Sequence, residues 1–169
     1  MERIARFEKV SKERFILDHK ELFKDACDAE AHDAYDRVSI PKRATKGSAG
    51  YDLITPVDVC LKPGEGLRIP TGIRVRMRSD YCMLIVPRSG LGSRFRFQLD
   101  NTVGVIDSDY YGSANEGHIF VPMRNDSRDG KDVNIKAGTA FAQCIFMSYG
   151  ITEDDETIEE RNGGFGSTG

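Results

Sequence analysis

From Val38 onward the chain is a succession of short β-rich runs cut by glycine and proline, and that texture restricts its fold more than any other feature. In VDVCLKPGEGLRIPTGIRVRM, residues 57–77, the PGEG step supplies a turn between two such runs. In GIRVRMRSD the side chains Ile73, Val75 and Met77 alternate with Arg74, Arg76 and Arg78. Successive residues of a strand point to opposite faces, so one face is apolar and the other basic, and the basic one reads as a solvated outer surface. Many short strands with frequent turns predict an all-β barrel or sandwich.

The texture before Val38 is different. In SKERFILDHKELFKDAC, Phe15, Ile16, Leu22, Phe23 and Ala26 recur at helical spacing behind a Ser11 cap, which predicts one amphipathic helix over roughly 11–31. With 169 residues and 39% hydrophobic side chains, the chain is expected to form one domain with tails. The expected division is a short first strand and helix in 1–36, a β domain in 37–150, and a linker with a terminal arm in 151–169.

Charge and cysteine usage narrow the function. A net charge of -3 argues against nucleic acid as partner, because a polyphosphate backbone calls for a basic face. The four cysteines form no CxxC pair and the three histidines do not cluster, so neither a zinc site nor a disulfide framework is indicated. No run approaches 18 apolar residues and residues 1–20 are charged throughout; the expectation is no membrane span, no secretory signal and a cytoplasmic location.

Five segments carry candidate chemistry. GSAGYDL (47–53) puts Asp52 just after a glycine-rich turn, and PRSGLG (87–92) puts Arg88, Ser89 and Gly90 in another. DNTVGVIDSDYYG (100–112) brackets an expected hairpin with Asp107 and Tyr110, and FAQCIF (141–146) reads as a buried strand with one amide, Gln143. Singly, each has a plain structural reading: a turn acid, a surface charge, an Asx turn, an edge residue. Jointly they supply arginine, hydroxyl, amide and carboxylates. The fifth segment is the terminal RNGGFGSTG (161–169), whose glycines would let backbone N–H groups approach a phosphate, though it has neither lysine nor a following helix. It follows the acidic stretch GITEDDETIEERN (150–162), which has no core-forming pattern. Residues 151–169, extended at about 3.3–3.6 Å each, span on the order of 60 Å, enough to fold over their own domain or over another subunit.

These five segments, in this order, resemble the five motifs of the trimeric dUTP diphosphatases (dUTPases). The resemblance covers residues of about 37–169, and the pairing of GVIDSDYYG with a terminal GGFGSTG carries most of its specificity. The N-terminal helix is not part of the pattern. Two further departures are Ala140, where the family often has arginine two positions before the AQ of its fourth motif, and an Arg161–Phe165 spacing one residue shorter than usual.

The resemblance implies a distorted jelly-roll or β-barrel, a homotrimer whose sites are shared between chains, and hydrolysis of dUTP to dUMP and pyrophosphate with Mg²⁺. That reaction keeps uracil out of DNA and supplies the precursor of thymidylate. Carried onto this chain, Asp107 is the base that takes the proton of the attacking water, a role that contributes about 10²–10⁴-fold. Arg88, Ser89, Gly90 and Gln143 face the phosphates. Asp52 holds a metal-bound water, since Mg²⁺ keeps much of its hydration. Asn101 and the backbone of Gly104, Val105 and Ile106 read the uracil edge, and Tyr110 lies against the deoxyribose where a 2′-hydroxyl would collide. Arg161, Phe165, Gly166, Ser167 and Thr168 belong to an arm that closes over base and phosphates. Two rival functions are a dCTP-deaminase-like enzyme and a dUTP-sensing regulator that offers the extra helix to a protein partner.

Overall fold

The structure, a computed structural model, describes residues 2–159. In chain order it contains β1 (Ala5–Lys9), α1 (Lys12–Leu22), α2 (Asp28–Asp36), β2 (Lys42–Arg43), β3 (Tyr51–Ile54), β4 (Val59–Leu61), β5 (Gly66–Pro70), β6 (Ile73–Met77), β7 (Tyr81–Pro87), α3 (Ser89–Phe95), β8 (Phe97–Leu99), β9 (Gly104–Ile106), a 3-10 turn (Ser108–Gly112), β10 (Phe120–Asn125), β11 (Val133–Ile135) and β12 (Ala140–Ser148). The expected all-β class is what the chain adopts: every ladder is antiparallel, and the strands group into four sheets. The largest has the order β2-β3-β12-β7-β9. Its inward residues, among them Leu53, Met83, Ile85, Ile106, Phe141 and Cys144, share one core with Val75, Phe97 and Val121 from the other sheets.

Local sequence accounts for much of this. PGEG forms the expected turn, with the Glu65 amide donating to the Lys62 carbonyl at 3.0 Å and Gly64 at φ +85°, a value glycine adopts without cost. In β6 the alternation holds, with Ile73, Val75 and Met77 buried. The solvated-face reading holds for Arg76 but not for Arg74, which is half-buried against Glu8 and stacked over Tyr111.

Two expectations are corrected. The helix foreseen over 11–31 is two helices that fold back on each other, with Lys12 paired to Asp36 and Lys20 to Asp28. Ser11 caps the first, its Oγ accepting from the Arg14 amide at 3.1 Å. The first helix stops at Phe23, and Glu30 accepts from the Cys27 amide at 2.8 Å where the second begins. A single helix of that span would be about 30 Å long and would overshoot the core. Folding back lets Phe15 and Ala34 bury in one small cluster with Val10, Val38, Val57 and Ile73. The second correction concerns 100–112: the turn after β8 is tight, but β8 joins β10 and β9 joins β7, so the two strands are a corner between sheets rather than a hairpin ladder.

The outer face of the large sheet decides where the site lies. One cross-strand row reads Lys42, Asp52, Gln143, Val86, and the row beside it reads Ile145, Leu84, Val105. Polar and apolar rows are thus neighbours on one surface, and Val105 is 52% exposed.

Candidate active site

The ladder register brings three of the predicted residues together. Gln143 stands opposite Asp52 on one side and Val86 on the other, in the middle of the sheet. Arg88, just past the end of β7, turns back so that its Nε lies 3.3 Å from Asp52 Oδ1 and its Nη1 donates to the Ala140 carbonyl at 3.3 Å. The Gln143 side chain donates to the Pro87 carbonyl at 3.3 Å. Gly50 leaves room for that side chain: a Cβ there would sit 2.7 Å from Gln143 Oε1. Ala140, where the family often has arginine, contributes its carbonyl to holding Arg88. Ser89 and Gly90 begin α3 and are exposed beside this cluster. Cys144, the next residue along β12, is no nucleophile, because burial pushes its thiol up to about 12.

The second group lies elsewhere. Asn101 is exposed on the turn after β8, where its carbonyl accepts from the Val103 amide at 2.7 Å. β9 follows as an edge strand, with β7 its single ladder partner among the described residues. Gly104 is buried against Ile85 and Leu99, and Ile106 points into the core, so these two offer backbone rather than side chain. Asp107 precedes the 3-10 turn and is exposed; its carbonyl accepts from the Tyr110 amide at 3.2 Å. Tyr110 is only 3% exposed. Its hydroxyl donates to the His118 carbonyl at 2.8 Å and accepts from Asn115 Nδ2 at 2.8 Å. The phenol is therefore spent on the fold.

Within one chain Asp107 and Tyr110 stay apart from Asp52, Arg88 and Gln143. Ile106 is opposite Met83, five residues before Arg88 on the same strand. At about 3.3 Å per residue, Asp107 and Arg88 are separated by roughly 16–20 Å along β7. Asp107 and Tyr110 thus stand at one end of the strand, and Asp52, Arg88 and Gln143 at the other. The remaining predicted residues, Arg161, Phe165, Gly166, Ser167 and Thr168, lie outside the described residues.

Sequence reasoning missed the residues that hold the 110–118 segment. Glu8 accepts from the Tyr111 hydroxyl at 2.8 Å, Glu116 from the Ser11 amide at 2.8 Å and hydroxyl at 2.6 Å, and Asp18 meets His118 Nδ1 at 2.6 Å. Burial works against a charged Asp18, but hydrogen bonds from His118 and Arg14 outweigh it and hold the carboxyl below its ordinary range. Burial also holds His118 below the usual imidazole value, against the pull of Asp18. These partners are about a hundred positions apart in sequence, and no local spacing signals them.

With this geometry in view, comparison with known proteins is decisive. The family model described as dUTPase matches residues 36–169. The chain belongs to the dUTPase family. It is similar to the deoxyuridine 5'-triphosphate nucleotidohydrolase of Lactococcus lactis, 42% identical over 135 residues that cover 78% of this chain and 89% of the relative. Among solved structures, the dUTPase of Streptococcus mutans superposes with a TM-score of 0.65 at 28% identity, over 87% of this chain and 98% of that one. A mutant dUTPase from phage phi11 of S. aureus, studied for the coordination of a structural Mg(II) ion, superposes with a TM-score of 0.64. It covers 93% of this chain and 98% of its own, and at 19% identity it speaks for the family fold alone.

The resemblance read from the sequence implies Mg²⁺, and the residues present can be tested against that ion. Among the described residues no three His, Cys, Asp or Glu side chains cluster as a metal cage. A lone carboxylate, Asp52, stands beside the phosphate-type donors Arg88 and Gln143. That set suits an ion carried in by substrate phosphates and still hydrated, which needs one carboxylate to hold a water.

Proposed function

We propose that this chain hydrolyses dUTP to dUMP and pyrophosphate with Mg²⁺, as a cytoplasmic homotrimer whose sites are each built from more than one copy. The observation that carries the reading is the separation of its two groups, in a chain of the dUTPase family: Asp107 and Tyr110 at one end of β7, and Asp52, Arg88 and Gln143 at the other. The apolar row Ile145, Leu84, Val105 beside the polar row supports it, since an outward apolar strip next to functional side chains suits coverage by another copy. The four free cysteines accord with a reducing compartment.

The residues divide the work. Asp107 accepts a proton from a water aimed in line at the α-phosphorus; the water oxygen forms the new P–O bond while the bond to the α–β bridging oxygen breaks, and pyrophosphate leaves with that electron pair. Arg88 and Gln143 donate to phosphate oxygens on which charge gathers, Ser89 and Gly90 adding donors beside them. Asp52 would hold Mg²⁺ through a water, and the ion when bound would supply neutralisation of phosphate charge. The edge of β9 left without a ladder partner among the described residues, with Asn101, reads the uracil edge through paired donors and acceptors, and a base presenting the reversed pattern is rejected by about 10⁴–10⁵. Tyr110 excludes a 2′-hydroxyl by shape. The terminal segment with Arg161, Phe165, Gly166, Ser167 and Thr168 completes the proposal from sequence.

The test uses two single variants refolded together. Asp107→Asn alone and Arg88→Ala alone should each release pyrophosphate from dUTP at least about 100-fold more slowly than the parent, with no ammonia from either. In verified mixed oligomers at equal ratio, roughly a quarter of sites combine an intact Asp107 with an intact Arg88 if the two come from different chains. Recovery to about that fraction is expected. Mixed oligomers without recovery would return the site to a single chain and sink the shared-site reading.

A further inference from the structure

The N-terminal strand and helices lie almost wholly outside the family model, which begins at residue 36, yet they grip the segment that carries Tyr110. Three successive N-terminal elements each hold one residue of that segment. From β1, Glu8 Oε2 accepts from the Tyr111 hydroxyl at 2.8 Å and from Arg74 Nη2 at 3.2 Å, with the Arg74 guanidinium 4.6 Å from the Tyr111 ring centre. From the helix cap, Ser11 donates twice to Glu116, by its amide at 2.8 Å and its hydroxyl at 2.6 Å. From α1, Asp18, which is 4% exposed and also paired with Arg14, meets His118 Nδ1 at 2.6 Å.

The histidine is the junction. Its Nε2 accepts from the Gly72 amide at 2.9 Å, so the ring proton belongs on Nδ1 and is donated to Asp18. The backbone of the same residue accepts the Tyr110 hydroxyl at 2.8 Å and Asn115 Nδ2 at 3.2 Å. Between them, Glu116 and Gly117 turn through φ +60° and +70°, a tight reversal that needs its surroundings to hold it. A steric wall selects by repulsion that rises steeply with distance, so it excludes a hydroxyl only as well as it resists being pushed. Buried hydrogen-bonded networks supply that resistance.

We propose that the N-terminal strand and first helix position Tyr110: Glu8, Ser11 and Asp18 hold the 110–118 segment, and through it they set how strictly the sugar subsite excludes ribonucleotides. This rests on the reading of Tyr110 as the sugar wall. Asp18, His118 and Glu116 are positioning residues, since none of them is asked to touch substrate.

The experiment is kcat/KM for dUTP and for UTP on full-length variants, kcat and KM being recorded separately. Asp18→Ala should lower the dUTP to UTP ratio about tenfold, mainly by improving UTP, with kcat on dUTP kept within about threefold. Asp18→Asn keeps an oxygen to accept from His118 and should restore most of the ratio. Glu116→Gln should shift it in the same direction by a smaller factor, and it decides the matter if Asp18→Ala does not fold. Leu17→Ser, on the 57% exposed side of α1, should leave the ratio unchanged. Tyr110→Ala is run beside them to separate the two layers of argument. If it collapses the ratio while Asp18→Ala and Glu116→Gln leave it at the parent value, the positioning role is wrong and the sugar wall stands. If it too leaves the ratio unmoved, the sugar reading fails and takes the positioning role with it.

Discussion

The two ends of β7 are built on opposite principles. At one end, Arg88 and Asp52 form an ion pair with side chains 42% and 31% exposed, and Gln143 makes a single 3.3 Å hydrogen bond to a carbonyl. Water screens these contacts, so a ligand with phosphates can replace them at little cost. At the other end Tyr110, His118 and Asp18 are 3%, 0% and 4% exposed and tied to one another, so these three are not free to rearrange around a ligand. Groups that bind a charged, mobile ligand stay adaptable; a group that discriminates by shape is held rigid. The difference is one of solvent exposure more than of residue type.

The contrast can be attacked first at its rigid end. Gly72 sits at φ +70°, and a Cβ there would lie 2.4 Å from Val38 Cγ2 and 3.2 Å from Phe15. Gly72→Ala should therefore cost about 3 kcal/mol in denaturant unfolding and disturb the amide that donates to His118. A loss under about 1 kcal/mol would mean that the N-terminal cluster is far softer than described.

Acid is a gentler probe of the same end. Burial lowers the folded-state values of both His118 and His19, so the unfolded chain takes up protons first as pH falls. Their contribution to stability is present above the unfolded imidazole value of about 6.5 and is lost below it. Asp18, lowered in the fold, adds a second loss below its own unfolded value of about 3.9. The melting temperature should decline between pH 7 and 5, and less steeply in His118→Gln; parallel curves for the two chains would remove His118 from the acid response.

The smallest expected effect is at the open end. Arg88→Ala should change unfolding free energy by no more than about 1 kcal/mol, because its ion pair is solvent-screened. Together with its large effect on turnover, that would mark the exposed cluster as built for ligand rather than for fold. A loss of several kcal/mol would erase the distinction between the two ends.

What could be read from sequence follows the range of the interactions involved. The Ser11 cap, the PGEG turn and the alternation of β6 depend on neighbours a few positions away, and each is in place. The family was legible because five short motifs occur in a set order. The break between α1 and α2 was not, since residues 23–27, FKDAC, hold neither glycine nor proline and the helix ends for the sake of packing. The corner after β8 read as a hairpin because the turn chemistry is right and only the distant partners, β10 and β7, differ. The three histidines were seen not to cluster, which is true in sequence, yet His118 finds its partner at Asp18 through the fold.

That separation also bears on how the molecule assembles. The bond from His118 to Asp18 closes a loop of 100 residues, and those from Ser11 to Glu116 close one of 105. Chain entropy opposes such closures until most of the intervening sheet is in place, so these contacts are expected to form late in folding, after the rate-limiting step, and Asp18→Ala should speed unfolding far more than it slows refolding. Interactions absent from the transition state leave the folding rate nearly untouched and act on the unfolding rate instead. The grip of the first helix on the rest of the chain is in this sense a clock: it governs how long a folded molecule lasts, while the speed at which one forms is settled before that helix docks.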